Sequence, residues 1–296
     1  MMAEGNKPAK SRAQRGAEVA AHKTVSGGSF VASPEAKSTA LKLRIVAMVL
    51  WLVAIGLEIF TIVWALLPEK PVNTWLIIGL IIAIAVLTLG GSLLWKKANR
   101  YDPASEKDKV RFFVQNQLGV IMTVLAFLPL IVLIFLDKDM DGKQKGILGA
   151  VAIIVAVVVG VFSYDKDAPS VEQYSVEANV VKELTGKDEV FWTKGGSVFH
   201  VCETVPDFSR STDIQRGTVA QAHEAGKERL TKKWVSEATR DCGYSAADVD
   251  RVLGTVDEVD RTLDEGQVVD RSGELEVAPS IVEDTPATEP EPVPAP

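Results

Sequence analysis

Residues 45–67 read IVAMVLWLVAIGLEIFTIVWALL, an apolar run of 23 residues that contains one charged residue, Glu58. A helix needs about 20 predominantly apolar residues to cross roughly 30 Å of hydrocarbon. Runs of the same character, without any charge, follow at 72–95, 118–136 and 147–164. The sequence therefore predicts an α-helical membrane bundle of four transmembrane helices. Because 44 residues precede the first run, we expect it to remain as an anchor rather than to be a cleaved signal peptide.

The distribution of basic residues predicts the orientation of this bundle, since Lys and Arg accumulate in cytoplasmic connections. Eight precede the first run and six lie between the second and third, whereas the other two connections hold one and three. Both termini are therefore expected in the cytoplasm. The net charge of −7 argues against nucleic-acid binding, which needs a basic excess to neutralise phosphates.

Glu58 lies near the middle of the first run, where an ionised carboxylate costs at least ~2.5 kcal/mol. By helical spacing it shares a face with Thr61, so we expect the carboxyl group to point at a neighbouring helix and to be protonated. Two interpretations remain open. In the first, Glu58, with the Thr61 hydroxyl group beside it, acts in a proton or cation relay. In the second, the carboxyl group makes a packing hydrogen bond, for example to Thr88, Ser92 or Thr123 or to a partner subunit.

Between the third and fourth runs, Asp137, Asp139, Asp141 and Gly142 match the beginning of a calcium-binding loop. The match then ends, because the twelfth position, which should be glutamate, is Leu148. The pattern favours a turn that holds two spans together, and weak binding of a divalent ion is the alternative.

The composition changes after residue 164: residues 165–296 carry 28 acidic and 14 basic groups. Residues 256–296 are acidic and then rich in proline, without aromatic residues, which is typical of a disordered tail. The basic segment 1–44 is predicted to be disordered as well and could lie on anionic lipid. Between these segments we expect a small α+β cytoplasmic domain at 165–255.

Local patterns predict the elements of this domain. Apolar positions from Val171 to Leu184 indicate a helix that ends at Gly186, and alternating residues on either side of 194–196 indicate a β-hairpin over 189–201. Thr218, with Gln221 three residues later, is typical of a capping box at the start of a helix. Further helices are expected over 231–242 and after Ser245.

Three stretches of this region carry a resemblance: VFWTKGGSVFH at 190–200, GTVAQA at 217–222 and AGKERLTKKW at 225–234. They resemble small bacterial modules similar to Ada-type metal-binding domains, and residues 114–234 as a whole resemble an uncharacterised bacterial membrane family that carries such a module. The resemblance implies a bacterial plasma membrane and a zinc site in which His200 would be one ligand. The three cysteine positions of the module are occupied here by Val205, Thr231 and Trp234.

A rebuilt zinc site is one alternative, with four potential ligands in His200, Cys202, His223 and Cys242. Their spacing matches no structural zinc pattern, however, and the other interpretation is a vestigial module without metal. In the cytoplasm we expect both cysteines to be reduced. A Cys–His nucleophile is not expected, because nothing in the sequence near Cys202 would lower the pKa of its thiol.

The sequence contains no complete catalytic or metal-binding set, so we predict neither an enzyme nor a bound cofactor. The main expectation is an accessory or scaffold subunit that contacts membrane lipids and a protein partner through its cytoplasmic domain or its bundle. The alternative is a small proton- or cation-linked transporter or channel subunit that uses Glu58.

Overall fold

A computed structural model of the chain describes residues 29–66 and 72–254. Helix α1 (Pro34–Phe60) continues as a π-helix, Thr61–Leu66, and is followed by α2 (Thr74–Tyr101), α3 (Lys109–Leu136) and α4 (Gly142–Ser163). All four helices are long and apolar enough to cross a membrane, which confirms the prediction of four long apolar helices. Only 28% to 33% of the most apolar window of each helix is buried, so most of these side chains face outward, as expected for helices surrounded by lipid.

Helices α1, α3 and α4 begin earlier than their apolar runs predict because polar residues cap them. The side chain of Ser33 accepts a hydrogen bond from the Ala36 amide, and Pro34 follows Ser33 as the first residue of the helix. Asp108 and Asp141 cap α3 and α4 in the same way. The prediction of disorder over 1–44 is therefore wrong for 34–44, because capped polar turns extend the helix beyond its apolar part. Residues 1–28 and 256–296, also predicted to be disordered, lie outside the described residues.

Helices α1 and α2 pack closely where glycine lies opposite tryptophan. Trp51 is buried and donates from its indole nitrogen to the Thr88 carbonyl oxygen at 3.2 Å. A Cβ atom on Gly91 would lie 2.6 Å from that nitrogen, so only glycine fits beside the ring. Gly119 of α3 lies against Ser92 in a similar way. The bundle has its own apolar core, which includes Ile77, Ile81, Ile84, Phe127, Leu130, Ile134 and Leu148.

The C-terminal part forms a second core from short elements. Their order is α5 (Val171–Thr185), β1 (Val190–Thr193), β2 (Val198–Phe199), a 3₁₀ turn (Pro206–Phe208), β3 (Ile214–Gly217), α6 (Val219–Glu224), β4 (Arg229–Leu230), α7 (Trp234–Arg240) and α8 (246–254). Helix α5 ends at Gly186, whose φ of +80° favours glycine, and the capping box of Thr218 and Gln221 is present. Two helix boundaries that local patterns predicted are thus confirmed.

The predicted hairpin at 189–201 is present only as one antiparallel bridge and not as a pair of strands. Phe191 and His200 exchange two backbone hydrogen bonds, of 2.9 and 2.8 Å, but this is an isolated bridge. Strand β1 instead pairs antiparallel with β3, and β2 pairs parallel with β4. The ammonium group of Lys227 donates to the carbonyl oxygens of Thr193, Lys194 and Gly196 at 2.7, 3.2 and 2.6 Å. These bonds tie the turn after β1 to the segment that leads into β4.

Candidate functional site

The C-terminal domain is joined to the end of α2 by a buried tyrosine. The hydroxyl group of Tyr174 donates to the Arg100 carbonyl oxygen at 3.1 Å, and the Val171 amide donates to the Ala104 carbonyl oxygen at 3.2 Å. Phe30, which precedes α1, packs edge-on against the Tyr174 ring with centroids 5.0 Å apart. Burial raises the pKa of the Tyr174 hydroxyl group, so it stays protonated and remains a donor. The domain is thereby held in one orientation at this end of the bundle.

His223 forms a buried polar cluster directly behind this joint. Its ring stacks on Tyr174 with centroids 3.7 Å apart, and the side chain is fully buried. Its Nδ1 lies 2.9 Å from the Lys227 carbonyl oxygen, and its Nε2 lies 2.6 Å from Glu177 Oε2. A carbonyl oxygen can only accept a hydrogen bond, so Nδ1 carries a hydrogen. At Nε2 there are two arrangements: a protonated imidazole donates to the Glu177 carboxylate, or a protonated Glu177 donates to a neutral imidazole.

The other oxygen of Glu177 is also satisfied. It accepts from the Leu230 amide at 3.0 Å and from the Gln173 side chain at 3.1 Å. The cluster therefore links α5, α6 and β4, and it explains why His223 is buried rather than on a helix surface. This role of Glu177 could not be predicted from the sequence, because no local pattern connects residues that are 46 positions apart.

His200 belongs to a second cluster, on the far side of β2. Its Nδ1 lies 2.9 Å from Oε2 of Glu237 in α7, and its Nε2 lies 4.0 Å from Oδ2 of Asp207 in the 3₁₀ turn. The ring of Phe208 contacts the imidazole edge-on, with centroids 4.8 Å apart. Neither carboxylate was singled out from the sequence.

The two cysteines form a disulfide, Cys202–Cys242, so the prediction of two reduced thiols is wrong. The bond joins the segment after β2 to the end of α7, where Thr204 Oγ1 also donates to the Asp241 carbonyl oxygen at 2.6 Å. Sequence distance concealed this pairing, because the two residues are 40 positions apart.

The four-residue zinc set does not assemble in this arrangement. Both thiol ligands are used in the disulfide, and His200 and His223 are bonded to different glutamates. The ligand positions implied by the Ada-type resemblance do not fit zinc either, because they hold Val205, Thr231 and Trp234. Val205 is buried, and Trp234 packs against the apolar core of the domain.

In the bundle, Glu58 is 3% exposed and lies three residues before the π-helix begins. Its Oε1 atom has no hydrogen-bond partner in the described part of the chain. The backbone of Leu130 is within hydrogen-bonding range of the carboxyl group, next to Pro129, which has no N–H and interrupts the hydrogen bonds of α3. The Thr61 hydroxyl group bonds to its own helix, at the Leu57 carbonyl oxygen, and not to the carboxyl group.

The hydroxyl groups predicted as partners of Glu58 lie elsewhere. Ser92 donates to the Thr88 carbonyl oxygen at 2.9 Å, and Thr123 donates to the Gly119 carbonyl oxygen at 2.8 Å. The Thr88 hydroxyl group has no partner among the described residues, but it is not bonded to Glu58.

Two aspartates of the 137–141 turn accept backbone hydrogen bonds, Asp137 within the turn and Asp141 as the N-cap of α4. Asp137 Oδ1 accepts from the amides of Asp139 and Met140, at 2.8 and 2.9 Å, and Asp141 Oδ1 accepts from the Gln144 amide at 2.7 Å. Within residues 29–66 and 72–254, the three carboxylates are not among the groups close enough to share a metal ion. This geometry agrees with a turn that holds α3 and α4 together.

Comparison of the chain with protein-family models, with curated proteins and with solved structures finds no match. The resemblance to Ada-type modules and to a bacterial membrane family therefore stays a prediction.

Proposed function

We propose that the chain is a bacterial integral membrane protein without catalytic activity that presents its C-terminal domain as a cytoplasmic interaction surface. In this role it is an accessory or scaffold subunit of a larger membrane assembly. The observation that supports the proposal is the joint at Tyr174, where the domain is fixed to the end of α2 by side-chain and backbone hydrogen bonds. A tethered domain that acted independently would not need such a joint.

The charge distribution supports the cytoplasmic side. Basic residues concentrate in the first turns of α1 and around the α2–α3 connection, at the end of the bundle that Tyr174 joins to the C-terminal domain. They are Lys37, Lys42, Arg44, Lys96, Lys97, Arg100, Lys107, Lys109 and Arg111. Arg44 and Arg100, at this end, pair with Asp102 and Asp165 at 2.8 and 3.8 Å.

The experiment is affinity purification of the tagged full-length protein in mild detergent, with mass spectrometry of recovered proteins and a native mass. We expect a stoichiometric partner. A monomer that recovers no reproducible partner would contradict the proposal. The Tyr174→Phe variant is the matched probe, because it removes only the hydrogen bond to Arg100 and keeps the buried ring. It should weaken recovery of a partner that contacts both the domain and the bundle.

A second candidate function is proton or cation passage through Glu58. A specific observation favours it, since a buried carboxyl oxygen without a hydrogen-bond partner in residues 29–66 and 72–254 lies beside a π-helix and a proline break, and π-helical turns occur frequently at functional sites. Flux into proteoliposomes should fall strongly in Glu58→Gln and change little in Thr61→Val, whose hydroxyl group bonds to its own helix. Flux at the wild-type level in Glu58→Gln would exclude this function.

A further inference from the structure

Three side chains with metal-ligating atoms converge at one edge of the C-terminal domain. They are His200 after β2, Asp207 in the 3₁₀ turn and Glu237 in α7, and one ligand atom from each lies within 4.8 Å of the others. The side chains of His200 and Glu237 are 3% and 4% exposed, whereas that of Asp207 is 60% exposed. The cluster therefore has a buried floor and one side open to solvent.

A bound cation would compensate the negative charge of this cluster. Glu237 is a buried carboxylate, and the ion pairs of the described residues give it one partner, the His200 imidazole. Burial of a carboxylate is costly unless a cation and hydrogen bonds compensate it. With a neutral imidazole, Asp207 and Glu237 together bring two negative charges, which a divalent ion would neutralise.

The ligand types select among divalent ions. Calcium and magnesium take oxygen ligands almost exclusively, whereas one imidazole nitrogen with two carboxylate oxygens suits zinc and related transition-metal ions. Bonds of about 2.0–2.2 Å in a tetrahedral site place neighbouring ligand atoms roughly 3.3 Å apart. The 4.0 Å from His200 Nε2 to Asp207 Oδ2 needs only a small inward movement of an exposed side chain.

We propose that His200, Asp207 and Glu237 form a binding site for one divalent ion of the zinc class, with the coordination positions that the protein does not fill open to water. Glu237 has two ways to act: it binds the ion directly, or it holds Nδ1 of His200 so that Nε2 faces the ion, as carboxylates commonly do behind metal-bound histidines. The Cys202–Cys242 disulfide ties the segment after His200 to the end of α7, so it holds the ligand-bearing segments together without ligating the metal.

The test is zinc binding to the purified full-length protein, with the tag removed and without reductant. Thiol titration first establishes that the disulfide is intact, and calorimetry then gives stoichiometry and affinity. We expect one zinc per chain, which excess calcium and magnesium do not displace. Asp207→Asn should lower the affinity at least about tenfold, and because Asp207 is exposed this variant does not put folding at risk.

The matched control is Asp213→Asn, an equivalent change at an exposed aspartate in the same segment between β2 and β3. It should bind zinc like the wild type, whereas His200→Gln should not bind. Well under one zinc per oxidised chain, or wild-type affinity in Asp207→Asn, overturns the proposal. Binding that occurs only after reduction also overturns it, since the cysteines would then be the ligands.

Discussion

The bundle and the C-terminal domain satisfy their buried polar groups in different ways. In the bundle, the hydroxyl groups of Thr61, Ser92 and Thr123 each bond to the carbonyl oxygen four residues earlier in the same helix. In the C-terminal domain, His223 and Lys227 bond to groups on other elements, 31 to 46 residues away in the sequence. The domain therefore adds long-range polar contacts to its apolar core, whereas the bundle relies mainly on apolar packing, to which bonds between helices such as Trp51 to the Thr88 carbonyl oxygen are added.

The largest effect is expected from His223→Ala. The change removes a fully buried ring that stacks on Tyr174, and it leaves Glu177 Oε2 without its partner. Removing one partner of a buried pair costs about 3–5 kcal/mol. Proteolysis of the purified protein should show an opened C-terminal domain and an intact bundle.

Glu177→Gln is a milder change at the same contact, because glutamine keeps the size of the side chain and an oxygen that accepts from the Leu230 amide. It should destabilise the domain less than His223→Ala. If His223→Ala instead destabilised the bundle and the domain equally, the two regions would form one cooperative unit, and the contrast between them would be wrong.

Reduction of the disulfide should have the next largest effect. Cys202 and Cys242 enclose a loop of about 40 residues, and removal of such a cross-link typically costs about 2–4 kcal/mol. Dithiothreitol should lower the unfolding temperature of the C-terminal domain in the wild type. The variant Cys202→Ser/Cys242→Ser should start lower and show no response to dithiothreitol. An identical unfolding temperature with and without reductant in the wild type would mean that the bond does not stabilise this domain.

The same contrast explains how much could be predicted from the sequence. Long apolar runs identified all four helices of the bundle, and local capping residues such as Thr218 and Gly186 gave correct helix boundaries in the domain. The first helix extends further than its apolar run because Ser33 and Pro34 form a cap in a polar segment. These features depend on neighbouring residues and can be recognised in a short window.

Apart from the cap at Ser33, which was missed although it is local, the errors fall where pairing is non-local. The isolated strand pattern over 189–201 favoured a hairpin, but β1 pairs with β3, which lies after an intervening loop. The same applies to the candidate sites: the sequence directed attention to His200 and His223, but their partners Glu237 and Glu177 lie 37 and 46 positions away. Glutamates in amphipathic helices give no local sign that they are buried.

In the bundle, two neighbouring glycines test the importance of close packing. A Cβ atom on Gly91 would meet the buried Trp51 indole at 2.6 Å, whereas on Gly90 it would be in ordinary contact with Leu50 at 3.5 Å. Gly91→Ala should therefore destabilise the bundle by about 1–3 kcal/mol, as overpacking does. Gly90→Ala should be neutral or stabilising by up to about 1 kcal/mol, because alanine favours helix. Thermal unfolding in detergent measures both, and equal effects would contradict tight packing at Trp51.

The smallest effect is expected at the joint between the two regions, where Asp165 is buried and its Oδ2 has no hydrogen-bond partner among the described residues. Burial raises the pKa of this carboxyl group above its ordinary value of 3.8, although Arg100 at 3.8 Å opposes the shift. The folded protein then holds this proton to higher pH than the unfolded chain. Its contribution to stability therefore declines as pH rises from 3.8 through the raised pKa.

Asp165→Asn has no such proton, so its advantage over the wild type should be absent at about pH 4 and should grow as pH rises. Unfolding temperatures of both proteins, measured from about pH 4 to about pH 7, give this difference directly. Asp213→Asn is an exposed change outside the joint, and its unfolding temperature should differ from that of the wild type by the same amount at every pH in this range. If the difference between Asp165→Asn and the wild type were also the same at every pH, the ion pair with Arg100 would balance the cost of burying Asp165. The joint would then resemble the His223 cluster of the C-terminal domain, where the buried Glu177 carboxyl group has its partners, rather than a strained contact between two regions.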